Sequence, residues 1–441
     1  MKLFYILIFS ILLQSCSFDN KSGIWKNENE VLVQKNDPLS NFESLSYVEE
    51  QFDKIVPFDG NSKIKISNTV SNLKWSDIFY NKINNFDNFK YNNLNKLLFK
   101  SKKLSRFDTS ENILYEENNI ILNDSKGNLI IYSIDEKKII SKFNFYKKRY
   151  KKLNKKINFI VENNIIYVAD NLGYLYSYNY SINKILWAKN YKIPFRSNLK
   201  IYNKQLALAD QANTLYLFNK ENGEILKKFP SEEITVKNRF INNLALNNKN
   251  LFFLNTYGTL YSFNIDHSNI NWFLNLNQST DLTPSESFDG TRIINYDKKL
   301  IITSNNFLYI IDEDNGSIIF KINFTSSISP VVNNNYLFII SKNDLLIVLD
   351  IEKGKIKYSY DINQKIADYY ETKKRNALFR NLLLLNDKIF IFLNNSFVLN
   401  FDIIGNLNDI KKLPTKINSN PIIIDGSIIY LDKKNRLSIV D

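Results

Sequence analysis

One motif recurs along almost the whole chain and decides its architecture. It consists of an apolar run, a polar turn, an alternating Leu-Tyr-x-aromatic run ending in Asn or Asp, and a further turn and strand. The clearest copy spans Ile165 to Asn190. There Ile165–Ala169 reads as one strand, Asp170-Asn171-Leu172-Gly173 as a tight turn, Tyr174–Tyr178 as a second strand and Ile185-Leu186-Trp187 within a third. Period-two alternation bounded by Asp, Asn and Gly is the signature of strands joined by hairpins. Aligned on the middle strand, the copies fall at Leu129–Tyr132, Leu175–Tyr178, Leu215–Phe218, Leu260–Phe263, Leu308–Ile311, Leu346–Leu349, Val398–Phe401 and Leu437–Val440. Their spacing of roughly 40 to 50 residues is that of four-stranded propeller blades. Helical repeats of similar length would need sustained apolar spacing at i, i+3, i+4 and i+7, and the sequence does not keep it.

The fourth strand of each blade precedes the other three, as in Ser329-Pro330-Val331-Val332 and Asn420-Pro421-Ile422-Ile423, where a proline at the start of a strand removes no ladder hydrogen bond. The last copy has strands at 422–424, 428–431 and 437–440 and then ends at Asp441, so it lacks one strand. The expected fold is all-β: an eight-bladed β-propeller of four-stranded blades, the last closed by an N-terminal strand. Asn72-Leu73-Lys74-Trp75 matches Lys184-Ile185-Leu186-Trp187 and is the candidate for that strand. The alternative is that Trp75 lies in an unrelated docking segment. Closure would remove the open sheet edge that otherwise invites aggregation.

The first residues carry an address. Lys2 and the apolar stretch Leu3–Leu13 form a short charged and hydrophobic pair of regions, too short to span a bilayer and suited to a signal peptide over 1–15. The stretch closes on Leu13-Gln14-Ser15-Cys16, which resembles a lipobox, implying lipidation at Cys16 and attachment to a membrane through acyl chains. Cys16 is the sole cysteine, so no internal disulfide, CxxC pair or cysteine-based zinc site is possible. Residues 16–58 are polar and read as a tether, with a flexible reach on the order of 30 to 40 Å; residues 59–441 hold the propeller. The formal charge of +13 raises the question of an anionic partner. However, Asn, Lys, Ile, Phe and Tyr are abundant together, as base composition alone would produce, and an exported lipoprotein meets no nucleic acid.

Gly173-Tyr174-Leu175-Tyr176-Ser177-Tyr178 followed by Asn183–Trp187, and Gly258–Phe263 followed by Asn271-Trp272, closely resemble the pyrroloquinoline-quinone-type propeller repeat. In that repeat an outer-strand Trp docks on the neighbouring blade. Elsewhere Lys227, Phe320 or Tyr358 stands near the Trp position. With the lipobox and eight blades, the chain from Asn72 to Asp441 is similar to the BamB family of outer-membrane β-barrel assembly lipoproteins. The resemblance implies a non-catalytic scaffold on the periplasmic face of the outer membrane. Its implied partners are the periplasmic domains of BamA, other subunits of the machine and nascent outer-membrane proteins, with no cofactor; Ser17 after the lipidated cysteine is compatible with that destination. The family's hydrophobic-x-hydrophobic-Arg contact loop maps onto Ile193-Pro194-Phe195-Arg196, where an apolar pair could anchor and an arginine reach carboxylates. The alternative is that Phe195 begins a strand and packs within its blade. A second contact loop would fall at Lys237-Asn238-Arg239-Phe240, with Asn238 and Arg239 as contacts, but the acidic residues expected there are missing.

The rival class is a periplasmic quinoprotein dehydrogenase, which is built from the same repeat. It needs a cation held by carboxylates and amides, a carboxylate base and commonly a vicinal cysteine pair, and the last is impossible here. Asp281, Glu286 and Asp289 cluster between blades four and five without any ligand spacing and read as a solvated loop. His267, the only histidine, sits in a turn and rules out multi-histidine metal sites. The run Lys147–Lys156 is the densest charge block, either a solvated loop or a surface for acidic partners and head groups. A WD40-type scaffold would carry Trp-Asp and Gly-His signatures, which are missing.

Overall fold

The computed structural model describes residues 17–18, 25–26, 54–60, 63–232, 240–277 and 288–441. Ser17–Phe18 and Trp25–Lys26 pair antiparallel as a short ladder of their own; Cys16 and most of the expected tether lie outside the described residues. Val48–Asp441 forms one compact unit. Within it stand seven four-stranded sheets and one five-stranded sheet, the eight blades.

The first seven blades each take four strands in chain order, paired antiparallel from the inside outwards. In blade 2 these are Ile157–Glu162, Ile165–Asp170, Tyr174–Asn179 and Lys184–Asn190. The hairpin between its second and third strands follows from Asp170, whose carboxylate accepts from the backbone N–H of Leu172 and of Tyr174, both at 2.8 Å; this is the Asx chemistry that makes Asp a turn residue. The middle strands are buried on both faces, while the outer strand alternates between exposed and half-buried positions. In every blade the register slips between the third and fourth strands, for instance at Ser177/Tyr178 and Leu217/Phe218, and such a bulge adds the local twist that propeller blades need.

Outer-strand tryptophans dock as the repeat implies. The Trp187 indole N–H donates to the Lys220 carbonyl of blade 3 at 2.9 Å, and Trp272 makes the same bond to Glu313 of blade 5 at 3.0 Å. Gly223 shows why a glycine faces each ring: its φ is +72°, and a Cβ there would lie 2.6 Å from Trp187. Phe320 occupies the equivalent place against Gly354.

The ring is closed by an N-terminal strand, but a different one from the candidate. Leu97–Lys100 pairs antiparallel with Leu437–Val440, with Phe99 opposite Ile439. The bulge between Ile439 and Val440 repeats the slip of the other blades, which marks 97–100 as a true fourth strand. Trp75 instead exchanges backbone hydrogen bonds with Tyr115 in the first strand of blade 1. The physical reason is burial. Outer strands alternate with solvent, as Leu97–Lys100 does with Leu98 at 52% exposure, whereas Trp75 is 2% exposed. The other boundary moves too: Val56 already bridges to Ser359 on the outer strand of blade 6, so docked chain begins ahead of residue 59. Between blades 6 and 7 the helix Ile362–Tyr370 interrupts the all-β pattern. Asp361 caps it by accepting from the Gln364 N–H at 2.9 Å, and only Ile362, Asn363 and Ala367 are buried, too few for a readable apolar stripe. No helix among the described residues is long and apolar enough to cross a membrane.

Candidate functional site

A propeller's innermost strands turn one edge toward the axis, and the N–H and C=O groups on it need partners. Here the chain supplies them from its own N-terminal segment, which makes a full circuit of the axis between Asn72 and Asn92. Asn72 bonds to Ile423 and Asp425 of blade 8, Trp75 to Tyr115 of blade 1, and Ser76 accepts from Val161 of blade 2. The buried Lys200 of blade 3 donates to Asp77 at 2.7 Å, to the Asn81 carbonyl at 2.9 Å and to Asn84 at 2.5 Å. Asn84 donates to Leu244 of blade 4 and to Ile293 of blade 5, and Asn85 exchanges two bonds with Val332 of blade 6. Asn88–Phe89 adds as a parallel strand to Phe379–Leu385 of blade 7, and Asn92 returns to Gly426 of blade 8.

Asparagine is suited to this work because its amide both donates and accepts, as a backbone edge requires. Between the amides Trp75, Tyr80, Phe86 and Phe89 form an aromatic cluster with neighbouring centroids 4.8 to 6.2 Å apart, which fills the axis. Burial pulls the Lys200 ammonium below its ordinary pKa and the Asp77 carboxylate pulls it back up.

Among the described residues a cavity of about 120 Å³ lies at the end where the innermost strands begin. Trp75, Phe79 and Phe86 line it together with Arg292 of blade 5 and Arg380 of blade 7. Burial brings the Arg292 guanidinium down to about 9, with Asp77 opposing that shift, so it stays charged at neutral pH.

The expected contact loop lies at the same end of the blades. Phe195 is 3% exposed and packs against Tyr191, Tyr216 and Phe218 within blade 3, so the expectation that its ring anchors in a partner is corrected. Its N–H bonds to Asp170 and it bridges to Asp210, which draws the chain inward at this point. Ile193, at 39% exposure, is left as the apolar surface residue, with Arg196 half-buried beside it. Asn238 and Arg239 lie outside the described residues, as do Asp281 and Glu286. Asp289 is exposed and holds no ligand set, and His267 is an exposed turn residue whose N–H bonds to Asn264. Within the basic run, Lys155 is not a surface charge: it is 4% exposed, bonded to the Tyr150 carbonyl at 2.6 Å and set over the Tyr146 ring at 4.9 Å.

A family profile described as outer membrane protein assembly factor BamB matches residues 126–360, more than half of the chain. The chain belongs to the BamB family. No curated protein sequence matches it. Among solved structures, BamB from Moraxella catarrhalis superposes with a TM-score of 0.61 at 10% identity, over 78% of this chain and 99% of that one. A quinohemoprotein alcohol dehydrogenase from Comamonas testosteroni gives 0.61 at 10% identity, over 85% of this chain and 81% of that one. The computationally designed Ika8 protein gives 0.59 at 10% identity, over 78% and 99%. At such identities these likenesses speak for the propeller fold alone.

Among the described residues the aromatic cluster on the axis leaves little room for a quinone cofactor. Ligand sites commonly enclose about 300–1,000 Å³, well above the 120 Å³ left on the axis. Among the described residues no group of three or more His, Cys, Asp or Glu side chains comes together. The axial segment itself escapes a reading of the sequence. Its signal, the alternation Asn84-Asn85-Phe86-Asp87-Asn88-Phe89, is masked by a chain that is rich in asparagine and phenylalanine throughout.

Proposed function

We propose that this chain is a non-catalytic scaffold lipoprotein of the outer-membrane β-barrel assembly machinery. It is lipidated at Cys16, held on the periplasmic face of the outer membrane, and binds the periplasmic domains of BamA, so aiding the assembly and insertion of outer-membrane proteins. The family match over residues 126–360 carries this reading. The filled axis supports its non-catalytic part against a quinoprotein dehydrogenase, because the chain's own side chains occupy the space a tricyclic cofactor would need.

The partner surface in this reading is the end of the blades that carries Ile193 and Arg196. An exposed aliphatic side chain beside an arginine offers an anchor with a charged rim. The test is affinity purification from detergent-solubilised envelopes of the native host, comparing wild type with Ile193→Asp and Arg196→Glu. Wild type should recover BamA and both variants should recover less of it. Recovery of no assembly subunit by the wild type refutes the assignment, and stoichiometric binding of pyrroloquinoline quinone by the purified chain refutes its non-catalytic part.

A further inference from the structure

The axial cavity holds positive charge that no described residue of its wall balances. Arg292 is 7% exposed, and its Nε and Nη2 have no hydrogen-bond partner among the described residues. Those two groups form one edge of the guanidinium fork, the edge that grips an oxyanion with two parallel bonds. Arg380 lines the same cavity. One of its terminal nitrogens donates to the Asn418 carbonyl at 2.8 Å, while its Nε is buried with no partner among the described residues. Among the described residues no Asp or Glu is in the lining, and the nearby Asp77 is engaged by Lys200 at 2.7 Å.

We propose that this cavity binds a small oxyanion, a carboxylate or phosphate group, between Arg292 of blade 5 and Arg380 of blade 7. The guanidinium of Arg292 is already held for the task, lying 4.2 Å from the centroid of Phe86 and 5.4 Å from that of Phe79. Cation–π contact fixes its plane without using its N–H donors. The cavity of about 120 Å³ has room for a small oxyanion head together with water. Ser329 and Asn112 also line it, the Asn112 amide oxygen accepting from the Asn420 amide at 3.1 Å. The site uses neither Ile193 nor Arg196 and stands independently of the partner-binding reading.

The experiment is thermal unfolding of the purified full-length lipoprotein in detergent. Sodium acetate, phosphate or sulfate is titrated at constant ionic strength against sodium chloride, for wild type, Arg292→Met, Arg292→Lys and Arg380→Met. Wild type should show a saturable rise in Tm of a few degrees at millimolar oxyanion, as for any ligand bound by the native state alone. Arg292→Met should abolish it and Arg380→Met weaken it. Arg292→Lys, which keeps the charge and loses the fork, should lower the affinity about tenfold or more. A stronger response to acetate identifies a carboxylate ligand, and a stronger response to phosphate a phosphate ligand. Phosphate and sulfate also stabilise proteins generally by exclusion from their surfaces, but that effect does not saturate and survives in the variants. No saturable rise in wild type, or an equal rise in folded Arg292→Met, overturns the proposal.

Discussion

Replacing Lys200 by Met tests how the axial segment is held. Lys200 is 1% exposed and bridges blade 3 to the segment through Asp77, Asn81 and Asn84. Methionine fills a similar volume, so the change removes charge and three hydrogen bonds with little loss of packing. Asp77, 3% exposed, then keeps the Phe79 N–H at 2.8 Å as a donor to its carboxylate but loses the cation paired with it. Breaking a buried pair in this way costs about 3–5 kcal/mol, because the remaining charge is left uncompensated. The assay is guanidinium chloride unfolding followed by tryptophan fluorescence and by circular dichroism, whose coincidence checks two-state behaviour. Asp77→Asn in the Lys200→Met background should recover about half of the loss, so that the double variant is about 2 kcal/mol more stable than Lys200→Met alone. A loss below about 1 kcal/mol for Lys200→Met, the range of exposed pairs, would refute the view that this bridge is buried on the axis.

Trp187→Ala should cost about 2–3 kcal/mol through lost apolar contact and the lost bond to Lys220, read as a fall in the unfolding midpoint. Gly223→Ala, which forces a side chain at φ +72° into the Trp187 ring, should cost about 1–3 kcal/mol in the same measurement. Raising the pH past 10 should destabilise the protein. Burial pushes Tyr167 and Tyr191 up to about 12, so the unfolded chain releases those protons first and stability is lost as pH rises above the unfolded value near 10. Unfolding midpoints between pH 9 and 11 check the sign, and a midpoint that rises over that interval contradicts it.

Blade number, strand order and turns are legible in the sequence because each blade repeats its local chemistry. Asp170 and Gly173 set one hairpin, and Trp187 marks an outer strand whatever its neighbours do. The closing strand is not, because a tryptophan beside lysine reads alike in an outer strand and in an axial plug; burial, which separates Trp75 from Trp187, is a property of the assembled ring. Phe195 is ambiguous for the same reason, since an apolar loop residue turns inward or outward according to Tyr216 and Phe218 in strands that follow it. The Asn72–Asn92 circuit is invisible because its partners are edges of all eight blades, scattered from Tyr115 to Gly426. Arg292 reads as an ordinary surface arginine until the ring brings it over Phe86.

Ring closure is most directly tested by disulfide trapping in a Cys16→Ser background. Phe99 and Ile439 are opposite each other in the closing pair, and such residues have Cα atoms about 4.5–5.5 Å apart, inside the range a disulfide spans. Phe99→Cys with Ile439→Cys should cross-link rapidly and almost completely under mild oxidation, while Trp75→Cys with Leu437→Cys should stay reduced. Efficient trapping of the second pair, with none in the first, would show that a different segment completes blade 8 and that the axial path of residues 72–92 is wrong.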